Sequence, residues 1–325
     1  MKSDFPTERW FWFDPVFHKN QSTLLHKQAD DVWRIDFQLG WDADPEEAKK
    51  PENVIPLVQQ MLGEEAEFEL EWVSVYQFAC RRMDRFRYGR VLFAGDAAHQ
   101  VSPFGARGAN TGVQDIDNLG WKLKLVIDGA APEALLDSYS EERVFAADDN
   151  LKNSTRSTDF ITPKSKGSRF FRDAVLELAE KHAFARPLVN SGRLSTPTPY
   201  VHSSLNTTEV AGFDSAMAPG TNCADAPVTV DGRESWFLNQ VGDGFDLLVF
   251  GEEPGVAAVQ CGDVEARVLV VGRDLQDSRG LLAARYDGQD DTTYLLRPDQ
   301  YVAARWRRFD QDKIRAALAR ATCQE

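Results

Sequence analysis

GRVLFAGDAAHQVSPFGARGAN, residues 89–110, decides how this chain is read. Residues 90–94 form a short apolar run that reads as a strand. It delivers the chain into Gly95-Asp96, then into a loop with further glycines, and Asn110 stands at the door of a helix. The helix is expected from about 111 to 128: Thr111-x-x-Gln114 fits a capping box, and Gly129 is a natural stop. Val113, Ile116, Leu119, Leu123 and Ile127 are expected to form its one apolar stripe. Pro132 opens a second helix running through Leu135, Leu136 and Tyr139 toward residue 150.

Upstream, residues 22–26 and 32–39 read as a hairpin across Gln28-Ala29-Asp30-Asp31, because Trp33, Ile35, Phe37 and Leu39 alternate with polar residues. Pro51 begins a helix that Gly63 ends. Residues 68–79 are expected to be a long strand whose apolar phase slips from Phe68/Leu70/Trp72 to Val73/Val75, the mark of a bulge or strong twist. Downstream, 186–222 is rich in Ser, Thr, Pro and Asn and reads as a linker. Beyond it lie buried-strand candidates at 246–250 and 267–271, a hairpin at 292–306 turning on Arg297-Pro298-Asp299-Gln300, and a last helix over 310–321. The expected division is 1–88, 89–185, linker 186–222, and a small α/β unit at 223–325.

Lys plus Arg number 37 against 51 Asp plus Glu, a net charge of −14, which argues against nucleic acid or an anionic membrane as partner. No apolar run reaches the roughly 18 residues of a membrane span, and the charged, aromatic first twenty residues do not read as a signal peptide. Cys80, Cys223, Cys261 and Cys323 are scattered without C-x-x-C or Cys/His ligand spacing. A reduced, cytoplasmic chain without a structural metal is expected.

A strand that runs into glycine-rich backbone at a helix mouth leaves N–H groups and a positive dipole end there. Such a place suits phosphate or the polarised pyrimidine edge of a flavin. Gly105 and Gly108 let a planar ligand approach the backbone, and Asp96 can accept hydrogen bonds from a sugar hydroxyl. Taken singly these signals are also those of a plain turn and a plain helix cap.

The whole string is more specific. G-R-V-L-F-A-G-D-A-A-H, P-x-G-A-R-G-x-N and D-x-x-N-L-x-W-K-L, across residues 89–123, resemble the second FAD fingerprint of the single-component flavoprotein aromatic hydroxylases, which include p-hydroxybenzoate and phenol hydroxylases. Similarity in pattern continues into Leu135-Leu136-Asp137-Ser138-Tyr139 and Glu142-Arg143. The resemblance implies a mixed α/β fold: part of an FAD-binding hydroxylase domain, a substrate-domain sheet, and a small thioredoxin-like domain lacking its redox motif. It implies that Gly95 and Asp96 meet the ribose or ribityl part of FAD. Pro103, Gly105 and Gly108 would pass over the isoalloxazine, and Ala109 and Asn110 would meet the flavin O2. Arg107 would supply a cation favouring the anionic reduced flavin. His99 fits a loop-orienting role better than that of a base, and Arg81 and Arg82 a solvated strand end. Trp72, Tyr76 and Phe78, with the cluster Trp10–Phe13, could wall an aromatic-substrate pocket, although sheet packing explains any one of them equally well.

The implied activity is NADH- or NADPH-dependent reduction of FAD, capture of O2 and transfer of one oxygen to a phenolic ring. The family's strand, G-x-G-x-x-G and helix for the pyrophosphate are absent from this sequence. The chain therefore reads as the C-terminal part of a hydroxylase, either an incomplete product or one served by an upstream FAD-binding half, with a homodimer as a further partner. Two other readings stand beside it. One is a scaffold or dimerisation protein that kept the fold and lost the cofactor. The other is a flavoenzyme of different chemistry, such as a halogenase or reductase; Trp10-Phe11-Trp12-Phe13 lacks the Ile-Pro continuation of a halogenase element.

Overall fold

The computed structural model describes residues 7–40, 42–104, 107–189, 196–210 and 212–325. The chain forms two compact units, one of residues 1–79 with 154–193, the other of 80–153 with 194–325.

The first unit opens with an antiparallel sheet of β1 (Trp10–Trp12), β2 (Thr23–Lys27) and β3 (Trp33–Phe37), in that order. The β2–β3 hairpin is the one expected. Its turn places Asp30 and Asp31 at φ 57° and 55°, a left-handed conformation that short polar side chains tolerate best. Helix α1 (Pro45–Ala48) is capped by the Asp44 carboxylate, and α2 (Pro51–Leu62) ends where Gly63 takes φ 98°. Residues 68–79 are not the expected strand: no strand is assigned there. Alternation alone does not hold a strand whose side chains lie outside a core, and Trp72, Tyr76 and Phe78 are 81%, 70% and 40% exposed.

The second unit begins with two short ribbons. β4 (Arg81–Arg82) pairs with β7 (His99–Gln100), and β5 (Arg87–Tyr88) with β6 (Val91–Leu92). The expected strand at 90–94 is thus only its first half. Helix α3 (Gly108–Ile127) starts three residues before the expected cap, and α4 (Leu135–Ile161) extends well past residue 150, its residues from 154 onward counted in the first unit. Thr111 is not an N-cap but lies within the first turn, its hydroxyl donating to the Arg107 carbonyl at 2.7 Å.

The later part of the first unit holds α5 (Lys166–Lys181), opened by a Ser165/Ser168 capping box, and α6 (Arg186–Val189). On α5, the buried Arg172 lies over the Phe13 ring, 5.7 Å from its centroid.

The remainder of the second unit is a ribbon of β8 (Pro227–Val230) and β9 (Arg233–Trp236), then a five-stranded sheet. The sheet comprises β10 (Phe245–Phe250), β11 (Ala258–Cys261), β12 (Val264–Val271), β13 (Thr293–Leu296) and β14 (Val302–Trp306), in the order β11-β12-β10-β13-β14. Helices α7 (Leu281–Tyr286) and α8 (Gln311–Ala321) complete it. β10 runs parallel to β12 and antiparallel to β13, and all its residues are buried. A strand covered on both faces reads as a continuous apolar run, as FDLLVF does. Its side chains alternate between two cores: Phe245, Leu247 and Val249 pack with α8 and Trp121, whereas Leu248 and Phe250 pack with Phe237, Leu282 and Tyr286.

Candidate flavin site

Helix α3 is inside out. Thr111, Asp115, Asn118 and Lys122 follow one another at helical spacing and are all buried. Three of the five apolar residues expected to face the core do the reverse: Val113, Ile116 and Ile127 are 70%, 59% and 73% exposed, whereas Leu119 is buried and Leu123 half-buried against the Phe86/Tyr139 core. The apolar period is real but most of it faces solvent, because the helix packs through a strip of ion pairs and hydrogen bonds flanked by Leu119, Trp121, Leu125 and Val126.

The polar face forms two clusters. In the first, the fully buried Asp115 accepts from the Gly95 N–H (2.8 Å) and His99 Nε2 (2.7 Å) on Oδ2, and from Arg143 Nε (2.6 Å) on Oδ1. Burial alone would raise its pKa; the His99 hydrogen bond and the Arg143 charge outweigh that and hold it below the usual range. An ionised Asp115 fixes the His99 tautomer with its hydrogen on Nε2. Arg143 continues to Tyr200 Oη (2.7 Å) and the Thr111 carbonyl (3.2 Å).

In the second, Lys122 Nζ donates to Glu142 Oε2 (2.6 Å) and Asn118 Oδ1 (2.9 Å). Arg297 donates to Glu142 (2.5 and 2.9 Å) and Asp299 (2.9 and 2.6 Å). Its guanidinium also lies over the rings of Trp121, Tyr200 and Tyr301. Burial pushes Lys122 down to about 8 against the pull of Glu142. Glu142 is held far below its ordinary value, because Arg297 and then Lys122 overcome the burial penalty.

Above this frame lies the 89–110 segment. Gly95 takes φ 57°, and a one-turn helix, Gly95–Ala97, carries Asp96 with its side chain exposed. The turn packs close on α3: a Cβ at Gly112 would stand 3.5 Å from the Gly95 Cα. The α3 hydrogen-bond ladder begins with Thr111 N donating to the Arg107 carbonyl at 2.8 Å, so the amides of Gly108, Ala109 and Asn110 precede it at the helix mouth. Ala109 and Asn110 are exposed, as is Pro103; Gly105 lies outside the described residues. Arg107 is buried and donates from Nη1 to Asn150 Oδ1 at 2.8 Å. Gly95, Ala109, Gly112, Val113 and Ile116 line one open groove of about 850 Å³.

Gly95, Asp96, Gly108, Ala109 and Asn110 therefore share one end of α3, with Arg107 anchored behind them. Trp72, Tyr76 and Phe78 belong to the other unit. Arg82, expected at a solvated strand end, makes a two-pronged pair with Asp148 at 2.6 and 2.8 Å. Asp115, Glu142, Arg143 and Arg297 went unassigned in the sequence. For Asp115 the signal is the D-x-x-N-L-x-W-K spacing, which sets Asp115, Asn118 and Lys122 on one helical face. A backbone turn at a helix N-terminus, with an exposed carboxylate beside it, fits the ring edge and sugar of a flavin nucleotide.

An FAD binding domain model matches residues 16–154. The 4-methyl-5-nitrocatechol 5-monooxygenase of a Burkholderia species is 31% identical over 298 residues, 83% of this chain and 51% of that protein. The 3-(3-hydroxy-phenyl)propionate/3-hydroxycinnamic acid hydroxylase of Mycolicibacterium smegmatis is 28% identical over 323 residues, 89% of this chain and 56% of that protein. The chain thus spans about half the length of these curated relatives. In fold it is similar to the flavin-dependent monooxygenase PieE, solved with FAD and substrate: TM-score 0.72, 22% identity, 94% of this chain and 60% of that one. Residues 16–154 thus match the FAD binding domain family, and most of the chain is similar to proteins that are aromatic monooxygenases and hydroxylases.

Proposed function

We propose that this chain carries the flavin-ring and sugar-binding part of an NAD(P)H-consuming, FAD-dependent monooxygenase that hydroxylates a phenolic ring. The observation that carries the reading is the construction around Gly95 and Asp96. A positive-φ glycine, an exposed carboxylate and the mouth of α3 converge, and a buried ionic frame holds them in place. In this reading Gly95 and Asp96 hold the ribityl or ribose hydroxyls, and Pro103 and Gly108 line the ring. The Ala109 and Asn110 amides face its O2. Arg107, fixed by Asn150, adds positive charge behind the loop and favours electron-rich forms of the cofactor. Bound flavin supplies the electron transfer and O2 activation that no side chain can.

The exposed apolar face of α3 suits a complementary sheet bearing the G-x-G-x-x-G turn, in the same polypeptide or another. The C-terminal sheet is proposed to be a thioredoxin-like domain with a packing role. Burial pushes the Cys223 thiol up to about 12, so it is a poor nucleophile at neutral pH. A reduced, cytoplasmic setting suits the four unpaired cysteines. Among the described residues no helix is long and apolar enough to cross a membrane.

The test is to purify the 325-residue chain, titrate FAD, and assay NADH and NADPH oxidation with simple phenols, alone and with a G-x-G-x-x-G half supplied. Alone, FAD should bind more weakly than about 10 μM, a free energy of only about −7 kcal/mol, without turnover. With the half present, a yellow protein and phenol-stimulated oxidation are expected. No flavin uptake in either form would overturn the proposal, and stoichiometric FAD with turnover in the chain alone would remove the need for a second half.

A further inference from the structure

Asp115 is the point at which the Asp96 turn is tied to the interior. Both donors on its Oδ2, Gly95 N and His99 Nε2, come from the two ends of the segment Gly95–His99, which has Asp96 between them. The segment is closed on itself by Ala98 N donating to the Gly95 carbonyl at 2.9 Å, and tied to the β4 side by Met83 N donating to the Ala98 carbonyl at 2.9 Å. On the other oxygen, Arg143 links Asp115 to the Thr111 carbonyl. Thr111 Oγ1 accepts from Asn150 Nδ2 at 3.1 Å and donates to the Arg107 carbonyl, and Asn150 Oδ1 accepts from Arg107. One contiguous network therefore holds the Asp96 turn and the Arg107 side chain, while Asp115 itself is fully buried.

We infer that Asp115 is a positioning residue for the cofactor: through Gly95 and His99 it fixes the turn that presents the Asp96 carboxylate to the sugar hydroxyls. The inference rests on the flavin reading above. An ionised carboxylate is the side chain suited to the place, since it alone accepts from three donors of which one is a guanidinium. Asparagine at 115 would turn an N–H toward one of those donors. The turn would then lose a fixed end, although the helix and its neighbours would remain packed.

The test is a double-mutant cycle on FAD affinity in the 325-residue chain, read by quenching of flavin fluorescence, with circular dichroism and thermal midpoint measured alongside. Asp115→Asn should weaken FAD binding at least fivefold in the parent chain and leave it unchanged in an Asp96→Ala background, because there the presented group is gone. Equal weakening in both backgrounds would mean general loosening and overturn the inference, as would an unchanged affinity in folded Asp115→Asn. Should that variant fail to fold, His99→Ala and His99→Gln serve instead. The alanine should weaken binding only when Asp96 is present, and the glutamine, which keeps a donor, should restore it. Identical affinity in parent, His99→Ala and His99→Gln would overturn the inference. Should the parent chain alone take up no FAD at millimolar concentration, the cycle is run with the G-x-G-x-x-G half supplied; no uptake there either is a separate failure, which overturns the flavin reading and the positioning role with it.

Discussion

Replacing Arg297 with methionine tests whether the second ionic cluster holds this unit together. Lys122, Arg297, Glu142 and Asp299 all lie in the interior, two cations against two carboxylates, so the cluster is neutral as built. Arg297→Met keeps much of the volume but leaves two carboxylates facing one ammonium. It also removes the guanidinium from over Trp121, Tyr200 and Tyr301. Breaking a buried pair by removing one partner costs about 3–5 kcal/mol, a large share of the ~5–15 kcal/mol that holds an ordinary domain. An exposed pair would cost about 1 kcal/mol or less, so the two cases are well separated. The sign with pH adds a second check. Arg297 is the chief group holding the Glu142 carboxyl below its ordinary 4.5. Without it, burial raises that carboxyl, and the folded variant takes up a proton before the unfolded chain does. The deficit should therefore shrink as pH falls from 7.5 to 5. Urea unfolding followed by far-ultraviolet circular dichroism at both pH values measures it. A deficit below about 1 kcal/mol at pH 7.5, or one equal at both pH values, would refute the reasoning.

Other outcomes follow from single residues. In a complete enzyme, with the G-x-G-x-x-G half present, Asp96→Ala should cost about 1.5–3 kcal/mol of FAD affinity, the range for bonds to a charged group, and unchanged retention of FAD on dialysis would reject its role. Lys122 titrates near 8 in the fold and 10.5 when unfolded, so the unfolded chain binds more protons between those values. Stability should rise with pH there by up to ~1.4 kcal/mol per unit relative to Lys122→Met, and parallel curves for the two proteins would contradict this. Gly120 sits inside α3 with nothing within 4 Å of an added Cβ. Gly120→Ala should raise stability by about 0.5–1 kcal/mol in urea unfolding, and a lowered midpoint would show that the helix is not held as described.

The elements legible in the sequence are those whose determinants are local. The β2–β3 hairpin, α2 between Pro51 and Gly63, the β13–β14 hairpin and α8 behind its Asp310 cap each lie within a few residues of their expected bounds. What failed was assignment of burial. The segment 68–79 has strand-like residues but no strand, and Trp72 lies largely in solvent. In α3 the apolar period is real, yet Val113, Ile116 and Ile127 face solvent and the polar strip Asp115, Asn118 and Lys122 is buried. The reason is long range: Asn118 Nδ2 reaches Asp299 Oδ2 at 3.0 Å across 181 positions of sequence, and Arg297 meets Glu142 across 155. No window of local periodicity contains both partners, so each charge read alone looks like a solvated one. The readable clue was combinatorial. Asp115, Asn118 and Lys122 share one face of a helix whose opposite face is apolar, and the next helix carries adjacent Glu142 and Arg143, opposite charges able to complement both clusters. A helix with two well-formed faces must bury one of them, and the choice goes to the polar face only when its charges can be neutralised in place. Here the hairpin that turns on Arg297 and Asp299 supplies the missing cation and the second carboxylate. The C-terminal sheet is thus part of what makes α3 bury its charged side and offer its apolar side outward.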